Sequence, residues 1–538
     1  MSKLLKISIL TILLSTQLVL AQHPVSLKSP DGTINVKIDI NEGVPNYTID
    51  IKDYIFLESS PLGLKTSLGD FTKEMSYASH TINNIDSSYT FLKGKSSHIT
   101  YKANQLIYKL ANTNKDTLHI IFRISNQDVA FSYKITSKER QTNIKIFEEA
   151  TGFNLPKNPT TYITPQAPPM TGWEKAKPSY EENYTLNEAM ETPSQYGLGY
   201  TFPALFKLAK NNGWILISET GVDSRYPGSR LGKASKEGLY KLEFPQEGEN
   251  NGIGATYAAQ AMPAQTPWRT ITFGETLKPI IESTVAFDLV EPLYKPSRDY
   301  KMGRATWSWI LWQDGSINYD DQVKYIDLAA SLNFEYVLID NWWDRTIGRD
   351  RMADLVKYAN SKNVDVLLWY NSNGYWNDAP QTPQDNMNTA PTRQNEMAWL
   401  QKIGVKGLKV DFFGGDKQTT MKLYEDILTD ANAYGLTITF HGCTLPRGWE
   451  KMYPNYVTSE AVKASEMLYF DQAYDDKYAQ NATIFPFTRN AVGAMDFAPV
   501  FLTKNLVKMK NTERSEEQLM LLKSLPLFYF CRLFNILE

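Results

Sequence analysis

The sequence predicts a two-part chain, an all-β domain followed by a parallel (β/α)8 barrel. Three observations predict it. Short alternating or β-branched runs, separated by Asn, Asp, Gly and Lys turns, fill the first half. Strand-like and helix-like runs then alternate beyond about residue 300. The ends of those later strands carry acids, amides and indoles, which is where a parallel barrel places its chemistry.

Taken in order, residues 1–21 read as a secretory signal. Lys3 and Lys6 form a basic start, Ile7 to Leu20 an apolar stretch too short to span comfortably, and Val19-Leu20-Ala21 a small-residue cut site before Gln22. The mature chain is therefore expected to be exported to a bacterial periplasm without membrane insertion. Residues 22–290 read as a β-sandwich, with strands such as Ile34–Ile38, Thr117–Phe122, Val129–Tyr133 and Trp214–Ile217. Pro292, Pro296 and Ser297-Arg298-Asp299 mark a linker over 291–300. From 301 to 538 the pattern predicts the barrel, with strands over 305–311, 336–340, 364–370, 408–411, 437–441 and 456–460. Helices are predicted over 319–332, 349–361, 395–402 and 418–434. The tail, Lys504 to Glu538, is basic, then acidic, then rich in Leu and Phe, where the last barrel strands are expected to close.

Composition narrows the function. Net charge is −3 with acids and bases interspersed, which argues against a nucleic-acid partner. Aromatic residues make up 12%, with 12 Trp and 31 Tyr; sugar clefts use such rings as stacking faces, and β cores use them as well. Only Cys443 and Cys531 occur, so the chain is not built on disulfides. No phosphate-binding loop, Gly-x-Ser-x-Gly or Cys/His zinc spacing is present.

The predicted strand tips hold Trp309 and Trp312, then Asp340 to Trp343, Trp369 to Asn371, Asp411, His441 and Glu460. Such a rim suits a sugar site: polar groups for hydroxyls, indoles for ring faces, and carboxyls for the glycosidic bond. Lys409, His441, Asp340, Trp307 and Trp342 are the expected substrate-binding residues. Lys409 and Asp411 lie two apart on a strand and point the same way, so the lysine is expected to keep the acid anionic. Glu460 and Glu466 are six apart. On a helix they would face different ways, and on a straight strand they would be ~20 Å apart. Spacing alone reads them as two unrelated acids on a loop; only a bend after Glu460 would join them. Tyr180 to Tyr184, an acidic and aromatic run, likewise reads alone as a solvated turn.

Seven stretches, taken together, resemble glycoside hydrolase family 97. They are TPWRTITFG (Thr266 to Gly274), ATWSWILWQDG (Ala305 to Gly315), VLIDNWWD (Val337 to Asp344), GLKVDFFGGD (Gly407 to Asp416), FHGCTLPRGWE (Phe440 to Glu450), TSEAVKASE (Thr458 to Glu466) and FPFTRNAVGAMDF (Phe485 to Phe497). The resemblance implies an N-terminal β-supersandwich, a catalytic (β/α)8 barrel, a small C-terminal β domain that this chain stops short of, and one calcium ion. Inverting members are similar to FHE-type sequences after the fifth strand, with the glutamate as base; here Gly442 follows His441. The resemblance therefore implies the retaining branch, with Asp411 as nucleophile and Glu466 as acid/base. It implies calcium ligands at Glu181 (with Glu182 as near rival), Glu460 and Glu466. That branch resembles α-galactosidases, and some relatives act on β-L-arabinopyranosides, which share the axial C4 hydroxyl and differ at C5. The expected function is an exported, calcium-dependent retaining α-galactosidase, monomeric, acting on an oligosaccharide or small glycoside. The alternatives are a β-L-arabinopyranosidase, an inverting α-glucosidase of the same family, and a non-catalytic glycan-binding remnant.

Overall fold

The computed structural model describes residues 24–498 and 536–537, apart from 53, 140, 210–212, 235–237 and 471. The stretch expected to be a secretory signal, Cys531 and the tail, save its strand at 536–537, lie outside the described residues.

The first part is made of antiparallel sheets, of which the two largest have seven and ten strands. Alternation drives it. Along Thr117–Ile124 the residues Leu118, Ile120, Phe122 and Ile124 all turn inward. This strand pairs with Asp128–Thr136 across a short turn closed by Ser125 and Asp128. Between the sheets, Tyr47 packs on Phe122 and Phe131 with ring centroids 5.8 and 5.3 Å apart. At the centre of the ten-stranded sheet, Trp268–Gly274 is buried along its whole length and carries Arg269.

The second part is a parallel barrel sheet. Its strands are β1 (Ala305–Trp307), β2 (Tyr336–Ile339), β3 (Asp365–Asn371), β4 (Gly407–Asp411), β5 (Thr437–Phe440) and β6 (Tyr456–Ser459), side by side in chain order. Every residue of β2 and β4 is buried, as expected of strands covered on both faces. The helices α1 (Tyr319–Ser331), α2 (Arg349–Ser361), α3 (Ala390–Ile403) and α4 (Gln418–Ala433) form the outer layer. A parallel bridge from Ser459 to Met495 continues the sheet past β6, and Ile536–Leu537 pairs parallel with β1. The chain is thus a β-sandwich joined to an α/β barrel, the predicted fold class.

Two boundaries of the barrel elements differ from the prediction by more than a single residue. The strand expected over 305–311 ends at Trp307, and Trp309–Trp312 is a helical turn. The Ser308 carbonyl accepts from the Trp312 amide at 3.0 Å, and the Ser308 hydroxyl is held by Ser316 and by Gln322 at 2.8 Å each. Ile310 and Leu311 are buried either way, and a short apolar run does not distinguish the two states. Helix α3 begins earlier than predicted, with Pro391 in its first turn, where the missing N–H costs nothing.

The two parts dock closely. A long hairpin of the sandwich, Ser76–Thr90 with His98–Ala111, sends two lysines into the barrel wall. Lys93 Nζ donates to the Tyr456 carbonyl at 2.8 Å, and Lys95 Nζ to those of Ala491 and Ser283 at 2.6 and 3.2 Å. Among the described residues no helix is long and apolar enough to cross a membrane.

Candidate active site

Strand tips β1 to β4 assemble one charged group. Asp340, directly after β2, accepts from Trp307 Nε1 at 2.7 Å and from Lys409 Nζ at 3.0 Å. The same ammonium lies 3.8 Å from Asp411 Oδ2 and 4.3 Å over the Trp307 ring. Burial works against the Lys409 charge, but Asp340 and Asp411 outweigh it and hold the group above its ordinary range. Asp411, at the tip of β4, accepts from Trp369 Nε1 at 3.0 Å on one oxygen and from the Phe412 amide at 2.9 Å on the other. Its carboxylate is therefore fixed by two donors and a neighbouring cation.

Gly442 makes room for that carboxylate. Its backbone has φ +47°, and a Cβ there would lie 2.8 Å from Asp411 Oδ1 and from the Phe412 amide nitrogen. Any side chain at 442 would collide with Asp411 as it stands.

A second group forms after β5 and β6. One ligand-capable atom each from His441, Glu460 and Glu466 lies within 4.8 Å of the others. Glu460 and Glu466 do converge, because the chain bends at Ala461, whose φ is +45°. His441 is held between two acids, with Nε2 2.8 Å from Asp496 and Nδ1 3.3 Å from Glu460 Oε2. The Gly442 amide donates to that same Glu460 oxygen at 3.2 Å, while Glu460 Oε1 is buried without a partner. Burial pushes Glu460 well above the carboxylate range, with Glu466 and Glu181 adding to it. Glu466 is half-buried. Burial raises it; Lys409 and His441 oppose that, Asp411 and Asp340 reinforce it, and the net direction is upward.

Glu181 reaches the same place from the β domain. Burial first, then the charge of Glu466, raise its carboxyl, with Lys177 opposing and Asp411 adding. Its neighbour Glu182 turns away, into an ion pair with Lys177 and a bond from the Tyr196 hydroxyl at 3.1 Å. Of the two, Glu181 is the one that faces the site, although it stands outside the His441–Glu460–Glu466 group.

The donor set suits a hard divalent cation such as calcium. Three carboxyl groups crowd together against mutual repulsion, and the orphaned Glu460 Oε1 offers a free oxygen. His441 has both ring nitrogens beside carboxylates, so it orients Glu460 rather than offering a free ring nitrogen to the ion.

Trp342 is placed apart from these groups. It is half-buried on the rim, in a left-handed conformation of φ +66°, with Nε1 donating to Asp314 at 3.1 Å. Two contributors carry no role in the sequence reading. Trp369 holds Asp411, and its place at a strand tip beside Lys409 was the available signal. Asp496 holds His441 from a segment with no period or spacing to mark it.

Comparison with known proteins gives the family. The family description "Glycosyl-hydrolase 97 N-terminal" matches residues 27–292, and "Glycoside hydrolase 97" matches residues 300–462. A crystal structure of a beta-arabinopyranosidase is 52% identical, with a TM-score of 0.89, covering 90% of this chain and 77% of that one. A retaining alpha-galactosidase of Bacteroides thetaiotaomicron is 24% identical over 513 residues, 89% of this chain and 73% of its own length. A probable retaining alpha-galactosidase of Streptomyces bingchenggensis is 24% identical over 477 residues, 86% and 68% respectively. The two family descriptions between them cover the β-sandwich and the greater part of the barrel, so the chain belongs to glycoside hydrolase family 97.

Proposed function

We propose that this protein is a retaining glycoside hydrolase that removes terminal pyranosides with an axial C4 hydroxyl. The observation that carries the reading is Asp411, fixed at a strand tip over Gly442, where no side chain offers an alternative base. Burial, with Asp411 and Asp340 adding to it, raises the Glu466 carboxyl, the direction a proton donor needs. In this reading Glu466 gives its proton to the departing oxygen as an Asp411 oxygen bonds to the anomeric carbon and the glycosidic C–O bond breaks. Glu466, now ionised, takes a proton from water, whose oxygen displaces Asp411 and releases the sugar with its configuration retained. Asp340, Lys409, Trp307 and His441 would bind the sugar, with Trp342 on the rim. Glu181, Glu460 and Glu466 would hold calcium, which when bound supplies fixed positive charge for orienting hydroxyls. The domain division at 22–290, 291–300 and 301–538, and export directed by residues 1–21, belong to the same reading.

For the glycone, the 52% identical beta-arabinopyranosidase favours a β-L-arabinopyranoside over the α-galactoside expected from sequence. The α-galactoside remains the second reading, on the strength of the two named alpha-galactosidases. A panel of p-nitrophenyl β-L-arabinopyranoside, α-D-galactopyranoside and α-D-glucopyranoside, with and without a chelator, tests the class. Proton NMR of the first-formed anomer tests the stereochemistry. Retention, with azide rescuing Asp411→Ala as a glycosyl azide, supports the reading. An inverted first product, or normal turnover in Asp411→Ala, removes it, and binding without any turnover points to a glycan-binding remnant.

A further inference from the structure

Three loops that carry the site meet in one buried hub on the sandwich side of the barrel. The β-domain loop places Tyr180 immediately before Glu181, the loop after β4 brings Asp416 beyond Asp411, and the loop after β5 brings Thr444 and Arg447 beyond His441. All four hub side chains are buried. The Tyr180 hydroxyl donates to Asp416 Oδ2 at 2.6 Å and accepts from Arg447 Nη2 at 3.0 Å. Thr444 donates to the other Asp416 oxygen and accepts from Arg447 Nη1 at 2.6 Å. Arg447 Nε in turn donates to Glu219 of the sandwich at 2.5 Å.

The backbone at Tyr180 is left-handed, with φ +66°. For a tyrosine this conformation is costly and persists only where the surroundings impose it. It is also the turn after which Glu181 comes within electrostatic reach of Glu466 and Asp411 while Glu182 pairs with Lys177. We propose that Tyr180 is a positioning residue: its hydroxyl, locked between Asp416 and Arg447, holds the loop so that the Glu181 carboxylate stands in the active site. Its effect on calcium rests on the ligand role given to Glu181 above; its effect on geometry does not.

The test is a double-mutant cycle on the full chain with Tyr180→Phe and Glu181→Gln, read as calcium affinity by calorimetry and as kcat/KM. Tyr180→Phe is expected to weaken calcium binding and lower kcat/KM, each by about 10- to 100-fold. In the Glu181→Gln background it is expected to add less than a further about 2-fold, because both changes act through one carboxylate. Tyr226→Phe is the control. It removes a hydroxyl bonded at 3.2 Å to Glu149, in the neighbouring charge network of the sandwich. It should lower Tm and leave both readouts in place. Additive losses, or a Tyr180→Phe variant that behaves like Tyr226→Phe, would overturn the proposal. Asp416→Asn loosens the same hydroxyl and repeats the cycle if Tyr180→Phe does not fold. A wild type that binds no calcium removes the ligand role of Glu181 alone. The crystal structure of Tyr180→Phe then decides the positioning claim: a displaced Glu181 carboxylate upholds it and an unmoved one ends it.

Discussion

Glu149 and Glu219 share Arg269 at the heart of the sandwich, and Glu219 also faces Arg447, with all four side chains fully buried. At the barrel mouth Glu181, Glu460 and Glu466 are crowded together beside Lys409, a cation already bound to Asp340 and close to Asp411. Burial drives Glu219 in the one place and the three glutamates of the other toward neutrality. In the first, Arg447 and Arg269 more than offset it and Glu219 falls below its ordinary range. In the second, acids outnumber cations and all three glutamates rise. Burial alone therefore does not mark a site; uncompensated burial does. One network is complete as it stands, whereas the other is poised to accept a cation, a proton or a substrate.

The largest expected effect tests the mouth. Asp411→Asn should reduce kcat/KM by at least about 1,000-fold, through loss of the nucleophile, with little change in Tm. A large fall in Tm with activity retained would reverse the contrast. The complete network should behave in the opposite way. Arg269→Met leaves the buried Glu149 carboxylate without a cation and Glu219 with Arg447 alone, and should cost about 3–5 kcal/mol in denaturant unfolding. Loss of less than about 1 kcal/mol would show that the network is not the structural partner of the pair.

Calcium sharpens the comparison next. At 100 times its Kd it should stabilise wild type by about 2.7 kcal/mol. Glu460→Gln should abolish the gain and Arg269→Met should keep it, both read by thermal melts. An equal gain in Glu460→Gln would separate the ion from this cluster.

The smallest expected effect concerns pH. Glu219 is depressed in the folded state, so its contribution is fully present above the ordinary glutamate value of 4.5 and is lost as pH falls through the lower folded value. Each unit of depression contributes about 1.4 kcal/mol. The stability gap between wild type and Glu219→Gln should therefore narrow on acidification, and a gap that widens would contradict the assignment.

The barrel was legible because its strands are apolar runs of the right length ending in polar residues, as in Tyr336–Asp340 and Gly407–Asp411. Lys409 and Asp411 could be paired from the two-residue period of a strand alone. Glu460 and Glu466 could not, since the bend that joins them sits at Ala461, and alanine is no marker of a left-handed turn. Glu181 and Asp496 arrive from distant segments, and no local pattern encodes a tertiary approach; the resemblance pointed to Glu181, and Asp496 went unassigned. The turn at Trp309–Trp312 was misread as strand because its buried face is as apolar as a strand would be.

Gly442 has a consequence for how the two stereochemical branches are connected. A glutamate introduced there would push into the space that Asp411 fills, and in the retaining reading proposed above, deleting Asp411 first would leave neither a nucleophile nor a base. Either order of single changes passes through a crippled intermediate. On that reading a switch between outcomes is a paired exchange, in which positions 411 and 442 change together.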